Sequence, residues 1–382
     1  MKVSVSSYVN NRFNNSEKSD QLNCEKVQLV LGFGAKNLIG GKNIYDTLHQ
    51  QYPIADIVLC STSGEIFDNK VVDHSVSVTA IEFEKTIIKT TIVNIDDHDN
   101  NSFRAGLALV KNLELTADLC YIMILADGGK VNGSELVNGI NEHIQNKVPV
   151  TGGLAGDGTA FLSTLVGLNE DPSPGKIIAI GFYSSNLEVA HGSMGGWEMF
   201  GPERIVTRSA ANELFEINGE NALDVYKKYL GPYADDLPGS ALLFPLSVKL
   251  SPAGEPVVRT ILSINNDSSS MVFAGDVPEG SQVRLMKANF DKLIDAASEA
   301  ANQTFKSGLA PGPKLALLIS CVGRKMILDT RIEEEVEAVQ EVFGENTLLT
   351  GFYSYGEISP FSINTKCALH NQTMTITTFN ES

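Results

Sequence analysis

Short runs rich in Val, Ile and Leu alternate along the chain with stretches whose apolar positions recur every three to four residues, the pattern of strands and helices that share sheets. In the first half this predicts strands at residues 27–32, 56–60, 75–83, 86–95, 119–126, 176–183 and 187–191, with helices at 42–51, 102–113 and 134–146. Some neighbouring strands lack room for a long crossover, so antiparallel pairs are expected beside parallel ones. Two helical stretches follow at 212–217 and 221–230, and a Gly- and Pro-rich run at 231–239 then breaks the pattern. Downstream the pattern predicts strands near 240–244, 256–264 and 282–288, a helix at 290–305 and a buried strand at 314–321. A long helix at about 329–343 and strands at 347–351 and 373–379 complete it. The fold class is therefore α/β, with mixed sheets flanked by helices.

One device recurs: a short apolar strand runs into a tight turn and then a glycine followed by an acid. Residues 58–66 carry it as Val-Leu-Cys-Ser-Thr-Ser-Gly-Glu-Ile, and residues 349–358 repeat it as Leu-Thr-Gly-Phe-Tyr-Ser-Tyr-Gly-Glu-Ile. A looser copy, Val-Thr-Gly-Gly-Leu-Ala-Gly-Asp, occupies 150–157. The turns differ in length, so this is a structural echo and not a tandem repeat. It predicts two related halves around a central ligand crevice, because strand ends that meet glycine-rich turns expose backbone N–H groups and short side chains.

A chain of 382 residues, 43% of them hydrophobic, suffices for two ordinary domains. The expected division is an extension at 1–26, domains at 27–220 and 221–365, and a C-terminal strand and tail at 366–382. Net charge is −17, from 46 acidic and 29 basic residues, which disfavours nucleic acid and anionic lipid surfaces as partners. The longest apolar runs, 120–126 and 315–321, are too short to span a bilayer, and residues 1–15 do not read as a secretory signal. Five scattered cysteines without a C-x-x-C pair suggest neither a disulfide framework nor a structural zinc site, so a cytoplasmic location is expected.

The pairing of Leu-Ile-Ser-Cys-Val-Gly-Arg at 318–324 with Gly-Phe-Tyr-Ser-Tyr-Gly-Glu-Ile at 351–358 resembles the C-terminal domain of FIST proteins. The runs at 60–66 and 150–157, with His-Gly-Ser-Met-Gly-Gly-Trp at 191–197, resemble the matching N-terminal domain. The resemblance covers about residues 27–365. It implies a bacterial sensory module of signal transduction that binds small ligands such as amino acids and has no catalytic machinery of its own. It further implies kinship with stand-alone, NosP-type members, which hold haem b, sense nitric oxide and act on a separate histidine kinase or cyclic-di-GMP enzyme.

The candidate lining follows from residue chemistry. Gly64, Gly152, Gly153 and Gly356 allow sharp turns or close approach to a ligand, or are plain turn glycines. Arg324 is suited to a bidentate hold on a carboxylate, and Glu357 and Glu65 to an ammonium; an Arg324 to Glu357 ion pair is the competing structural role. Tyr355 and Asp157, inside the echoing turns, join this set. For haem, His191 is the candidate iron ligand, since it ends an apolar strand beside Trp197, Met194, Met199 and Phe200, and Cys321 is the alternative donor. His49, His74, His98, His143 and His370 are the other histidines, and no C-x-x-C-H run is present, so any haem would not be covalently attached.

Two alternatives remain open at this point: a sensor of an amino-acid-like metabolite without haem, and an enzyme using Cys321 as nucleophile, with Asp127 and Glu357 as acid or base. Residues 32–37 lack the third glycine of a dinucleotide fingerprint and the Gly-Lys-Ser/Thr of a P-loop. The acidic turn 96–99 lacks the features of an EF-hand.

Overall fold

The computed structural model describes residues 1–10, 12–41, 43–250, 254–305, 312–361 and 365–382. Lys42, the expected start of the first helix, lies outside them. The fold is mixed α/β: three six-stranded sheets share one interior, and a fourth sheet packs beside them. No helix among the described residues is long and apolar enough to cross a membrane.

The three sheets are built on one plan. In the first, the parallel strands Leu29–Gly34 and Asp56–Ser61 are joined through the helix Asn43–Gln51, and Val76–Glu82 and Lys2–Val9 add antiparallel on the far side. In the second, Leu119–Ala126 and Val150–Leu154 flank the helix Gly133–Ile144, followed by Lys176–Tyr183 and Ile87–Asn94. In the third, Leu315–Cys321 and Leu348–Ser354 flank the helix Ile332–Phe343, followed by Met374–Glu381 and Leu187–Met194. Alternation along each strand separates two cores. Leu29, Leu31 and Phe33 meet Tyr121, Met123 and Leu125, and Leu315, Leu317 and Ile319, in the shared interior. Val30, Ile122, Ile124 and Leu318 point outward under helices.

Each unit lends its next strand to a neighbour. After Asp56–Ser61 the chain enters Glu65–Phe67, which pairs with Leu348–Ser354 of the third sheet. After Leu348–Ser354 it enters Gly356–Pro360, which pairs with Val150–Leu154 of the second. After Val150–Leu154 it enters Val166–Leu168, which pairs with Asp56–Ser61 of the first. The echo seen in the sequence is thus the corner at which each of three units hands over a strand. Gly152 and Gly351 hold matching places, with φ of 157° and 154°. A Cβ there would overlap the carbonyl oxygens of Ile124 and Leu318, so only glycine lets the parallel strands lie so close.

A buried acid pins each corner. Glu65 accepts from Thr62 Oγ1 (2.5 Å), Ser75 Oγ (2.7 Å) and Ser75 N (3.1 Å). Glu357 accepts from Ser354 Oγ (2.7 Å), Thr373 Oγ1 (2.9 Å) and Thr373 N (3.1 Å). In the second unit the acid comes from another position: Asp127 accepts from Thr164 Oγ1 (2.7 Å) and Gly175 N (2.5 Å). Ser75, Thr373 and Gly175 each precede the third strand of a sheet, so each carboxylate ties the corner to that strand's start.

The fourth sheet runs in the order Val257–Arg259, Leu246–Lys249, Gln282–Lys287, Glu198–Ala210, Glu213–Ile217, Ser270–Phe273, Ile261–Asn265, and the helix Ala222–Leu230 shares its core. The boundary expected at 220/221 runs through this module. Two expectations fail here. Within 212–217 the residues Glu213–Ile217 form a strand and not a helix, because register shifts opposite Val206 to Ser209 break the two-residue alternation and leave Leu214 and Ile217, three apart, both buried. Residues 240–244 lie in a 3-10 helix, Gly239–Leu243, that follows Pro238.

Arg324 is fully buried, and its partner is Glu335, not Glu357. Its Nε and Nη2 donate to Glu335 (3.0 and 2.8 Å), while Nη1 and Nη2 also reach the carbonyls of Gly195 (2.7 Å) and Leu293 (2.6 Å). Glu335 also accepts from Ser320 and Tyr353, each at 2.9 Å. With the guanidinium enclosed in this way, Arg324 is a structural clamp and has no face left for a ligand.

Two predictions follow from these buried charges. Glu335→Ala strands the guanidinium and should cost about 3–5 kcal/mol in urea unfolding, whereas Arg324→Met with Glu335→Leu should recover most of the loss; a single-variant loss below about 1 kcal/mol would contradict the clamp. Burial lifts Glu65 to about 7 and Glu357 to about 8 against the ordinary 4.5, with their hydroxyl and amide donors pulling the other way. The folded state therefore holds protons that the unfolded chain releases, so this contribution is complete below about pH 4.5 and is lost as pH rises to 8. The denaturant midpoint should fall across that window, and Glu65→Gln with Glu357→Gln should flatten the slope; an identical slope in the double variant would refute the assignment.

Candidate functional site

The three corners lie together at the C-terminal ends of the parallel strands, and they bond to one another rather than enclosing a hollow. Ser63 N donates to Tyr353 O (2.8 Å), Tyr353 N to Gly64 O (2.9 Å), Gly156 N to Ser61 O (2.9 Å) and Tyr355 N to Leu154 O (3.2 Å). The expected central crevice is therefore filled by backbone and, below it, by the shared apolar core. Open space lies at the rim instead.

The rim crevice has a volume of about 520 Å³. Its walls are the segment after the first parallel strand, with Lys36, the corner Thr62 to Glu65, the pair Asp73 and His74, and Asp157 with Gly158. Lys36 donates to Ser163 and lies 4.0 Å from Asp157. Asp157 is bonded by Tyr355 Oη and by the amides of Leu162 (3.1 Å) and Ser163 (2.9 Å). Burial works to raise its pKa, but these donors and Lys36 outweigh it and hold the carboxyl below its usual range. From the third unit Lys325 reaches the same corner, donating to Ser63 O (2.9 Å) and pairing with Asp73. The crevice lining thus holds Lys36 beside Asp157, and its Asp73 is paired with Lys325 next to it.

Of the residues singled out from sequence, Gly64, Glu65 and Asp157 line this crevice, and Tyr355 braces it through Asp157. Gly356 and Glu357 belong to the third unit's corner, and Glu357 is spent as a pin. Gly152 and Gly153 are packing glycines; a Cβ on Gly153 would press on Ile319. Cys321 is buried, and desolvation pushes its thiol far up, so the nucleophile of the enzyme alternative is neither ionised nor reachable. Lys36, Asp73, His74 and Lys325 were not legible as a site. Lys36 sits in the 32–37 run that matches no nucleotide fingerprint, and the others converge only through the strand exchange.

Among the described residues, neither His191 nor His74 stands in a setting suited to haem. Trp197, Met194, Met199 and Phe200 do line one hollow, of about 710 Å³, between the fourth sheet and the helix Phe290–Phe305. His191 is absent from its lining. A Cβ on Gly192 would meet Ala300 of that helix, so Gly192 and Met194 face the helix and His191, by alternation, faces the other way. Trp197 Nε1 donates to Gln372 O (2.9 Å), and Lys292 and Lys287 pair across the hollow with Glu198. His74 lines the rim crevice, but there Glu65, Asp73 and Asp157 put carboxylates where a macrocycle needs apolar surface. No cluster of His, Cys, Asp and Glu suited to a metal ion exists among the described residues.

Comparison with known proteins places these features. No curated protein matches the chain. The family model for the FIST N domain matches residues 28–220, and that for the FIST C domain matches residues 222–360. Together they span most of the chain, which belongs to the FIST family, whose domains are small-ligand sensory domains of signal transduction.

Proposed function

We propose that the rim crevice is the sensory site and that it takes a small zwitterion, an amino-acid-like metabolite, without haem. The observation that carries this reading is the pairing of unlike charges at the crevice, Lys36 beside Asp157 on its wall and the lining residue Asp73 held by Lys325. A ligand carboxylate would displace Asp157 from Lys36, and its ammonium would be taken by Asp73 or Asp157. The volume suits a small molecule, and the place, beyond the C-terminal ends of parallel strands, is where open α/β sheets gather ligands. The surrounding glycines keep side chains out of the space, and the corner bonds hold the walls rigid. The family's sensory role supports an output passed to a separate signalling enzyme, a histidine kinase or a cyclic-di-GMP enzyme.

A thermal-shift panel of amino acids and related metabolites should contain at least one stabilising member, and Lys36→Ala or Asp73→Asn should each weaken it at least tenfold without unfolding the protein. A panel without response, or a response indifferent to both substitutions, would refute the site. Hemin titration should produce no Soret band that disappears in His191→Ala; a band lost in that variant would restore the haem reading.

A further inference from the structure

A third hollow, of about 340 Å³, lies on the seam between the second sheet and the fourth. One wall is the glycine-rich loop 128–133, which leaves the first parallel strand of its unit and opens the helix Gly133–Ile144. It is the counterpart of the segment after Leu29–Gly34 that walls the rim crevice. The facing wall comes from the fourth sheet, with Leu262, Phe273 and Gly275. The floor and lip are Leu154, Tyr355 and Phe161.

Three properties of this hollow bear on what it could hold. Phe161 and Leu262 are 46% and 45% exposed although both are large and apolar, and they stand on lips contributed by different modules. The Phe161 ring lies flat on Tyr355, with centroids 4.5 Å apart and planes at 15°, so the mouth presents a planar aromatic face. In a chain of net charge −17 the lining contains Lys130 and no carboxylate. Among the described residues the Lys130 ammonium pairs with Asp96, and both side chains are about half exposed (45% and 47%), so the pair is weak and easily exchanged. Asp127, under the loop, has its oxygens committed to Thr164, Gly129, Lys130 and Gly175.

We propose that this seam hollow is a second binding site, for a small planar aromatic molecule that carries a carboxylate. Its ring lies against Phe161, Tyr355 and Leu262, which removes the exposed apolar lips from water. Its carboxylate takes Lys130, helped by the positive end of the adjoining helix. Because the walls belong to separate modules, occupancy adds to the few bonds that fasten the fourth sheet: Asn132 to Asp276 (3.0 Å) and Arg259 to the Leu369 carbonyl (3.0 Å). The site is independent of the zwitterion reading of the rim crevice.

The test uses the full chain, with phenylacetate and uncharged phenylacetamide as probes, followed by saturation-transfer NMR and calorimetry. Phenylacetate should bind at least tenfold more tightly than phenylacetamide. Lys130→Gln should bring the acid down to the amide. Phe161→Ser and Leu262→Ser, both at exposed positions and so compatible with folding, should each weaken the acid at least fivefold. Lys36→Ala should leave phenylacetate binding unchanged, which separates this site from the rim crevice. Equal binding of the two probes, no binding of either, retention of binding in the Phe161→Ser/Leu262→Ser double variant, or loss of binding in Lys36→Ala would each overturn the inference.

Discussion

The exchange of edge strands among three units is the constraint on which the rest depends. A sheet edge presents unpaired N–H and C=O groups, and an isolated unit of this plan would leave one beside its second parallel strand. Here each edge is covered by the chain leaving the neighbouring corner, so no unit is complete without the others. The exchange requires the chain to leave one sheet and enter another within a few residues, which demands glycine where backbones touch and a fixed anchor at the bend. Glu65, Glu357 and Asp127 are those anchors. Each accepts a backbone N–H from the start of a third strand, which explains why carboxylates sit where burial disfavours their charge.

This constraint also settles where a ligand has room. Three corners that bond backbone to backbone cannot enclose a chamber between them, and the interior below is filled by apolar side chains and by buried hydroxyls bonded to one another, Thr79 to Thr350 and Thr151 to Thr377 among them. Around the corners, space is left on the outside, where the segment following a first parallel strand diverges from its neighbour's turn. The rim crevice and the seam hollow occupy that position in the first and second units. In the third, Arg324, Glu335 and the carbonyls of Gly195 and Leu293 fill the ground after the strand with an ion pair.

What the sequence conveyed follows the length and regularity of each pattern. Strands 119–126 and 176–183 and helix 290–305 were legible to the residue, because alternation or helical spacing runs uninterrupted through them. Three-residue strands such as Glu65–Phe67 and Val166–Leu168 carry too few positions for a period, yet they are the exchanged strands that define the topology. The Gly-Glu corner was visible as a motif, but whether its acid faces a ligand or a neighbouring amide depends on Ser75 and Thr373, ten and sixteen residues away. Arg324 shows the same limit. Its partner lies in the acidic run Glu333, Glu334, Glu335, which reads as a solvated helix start, and only the turn of the helix selects Glu335 for the interior.

Tyr355 joins these observations into one mechanical unit. Its backbone N–H holds the second unit's strand at Leu154, its ring lines the seam hollow beneath Phe161, and its hydroxyl binds Asp157 on the wall of the rim crevice. Asp157 in turn fixes the amides of Leu162 and Ser163, so the segment that carries Phe161 is tied to the crevice at its base. These bonds, and not the longer 4.0 Å approach of Lys36 to Asp157, set the placement of the Phe161 ring, so the shared wall stands without Lys36.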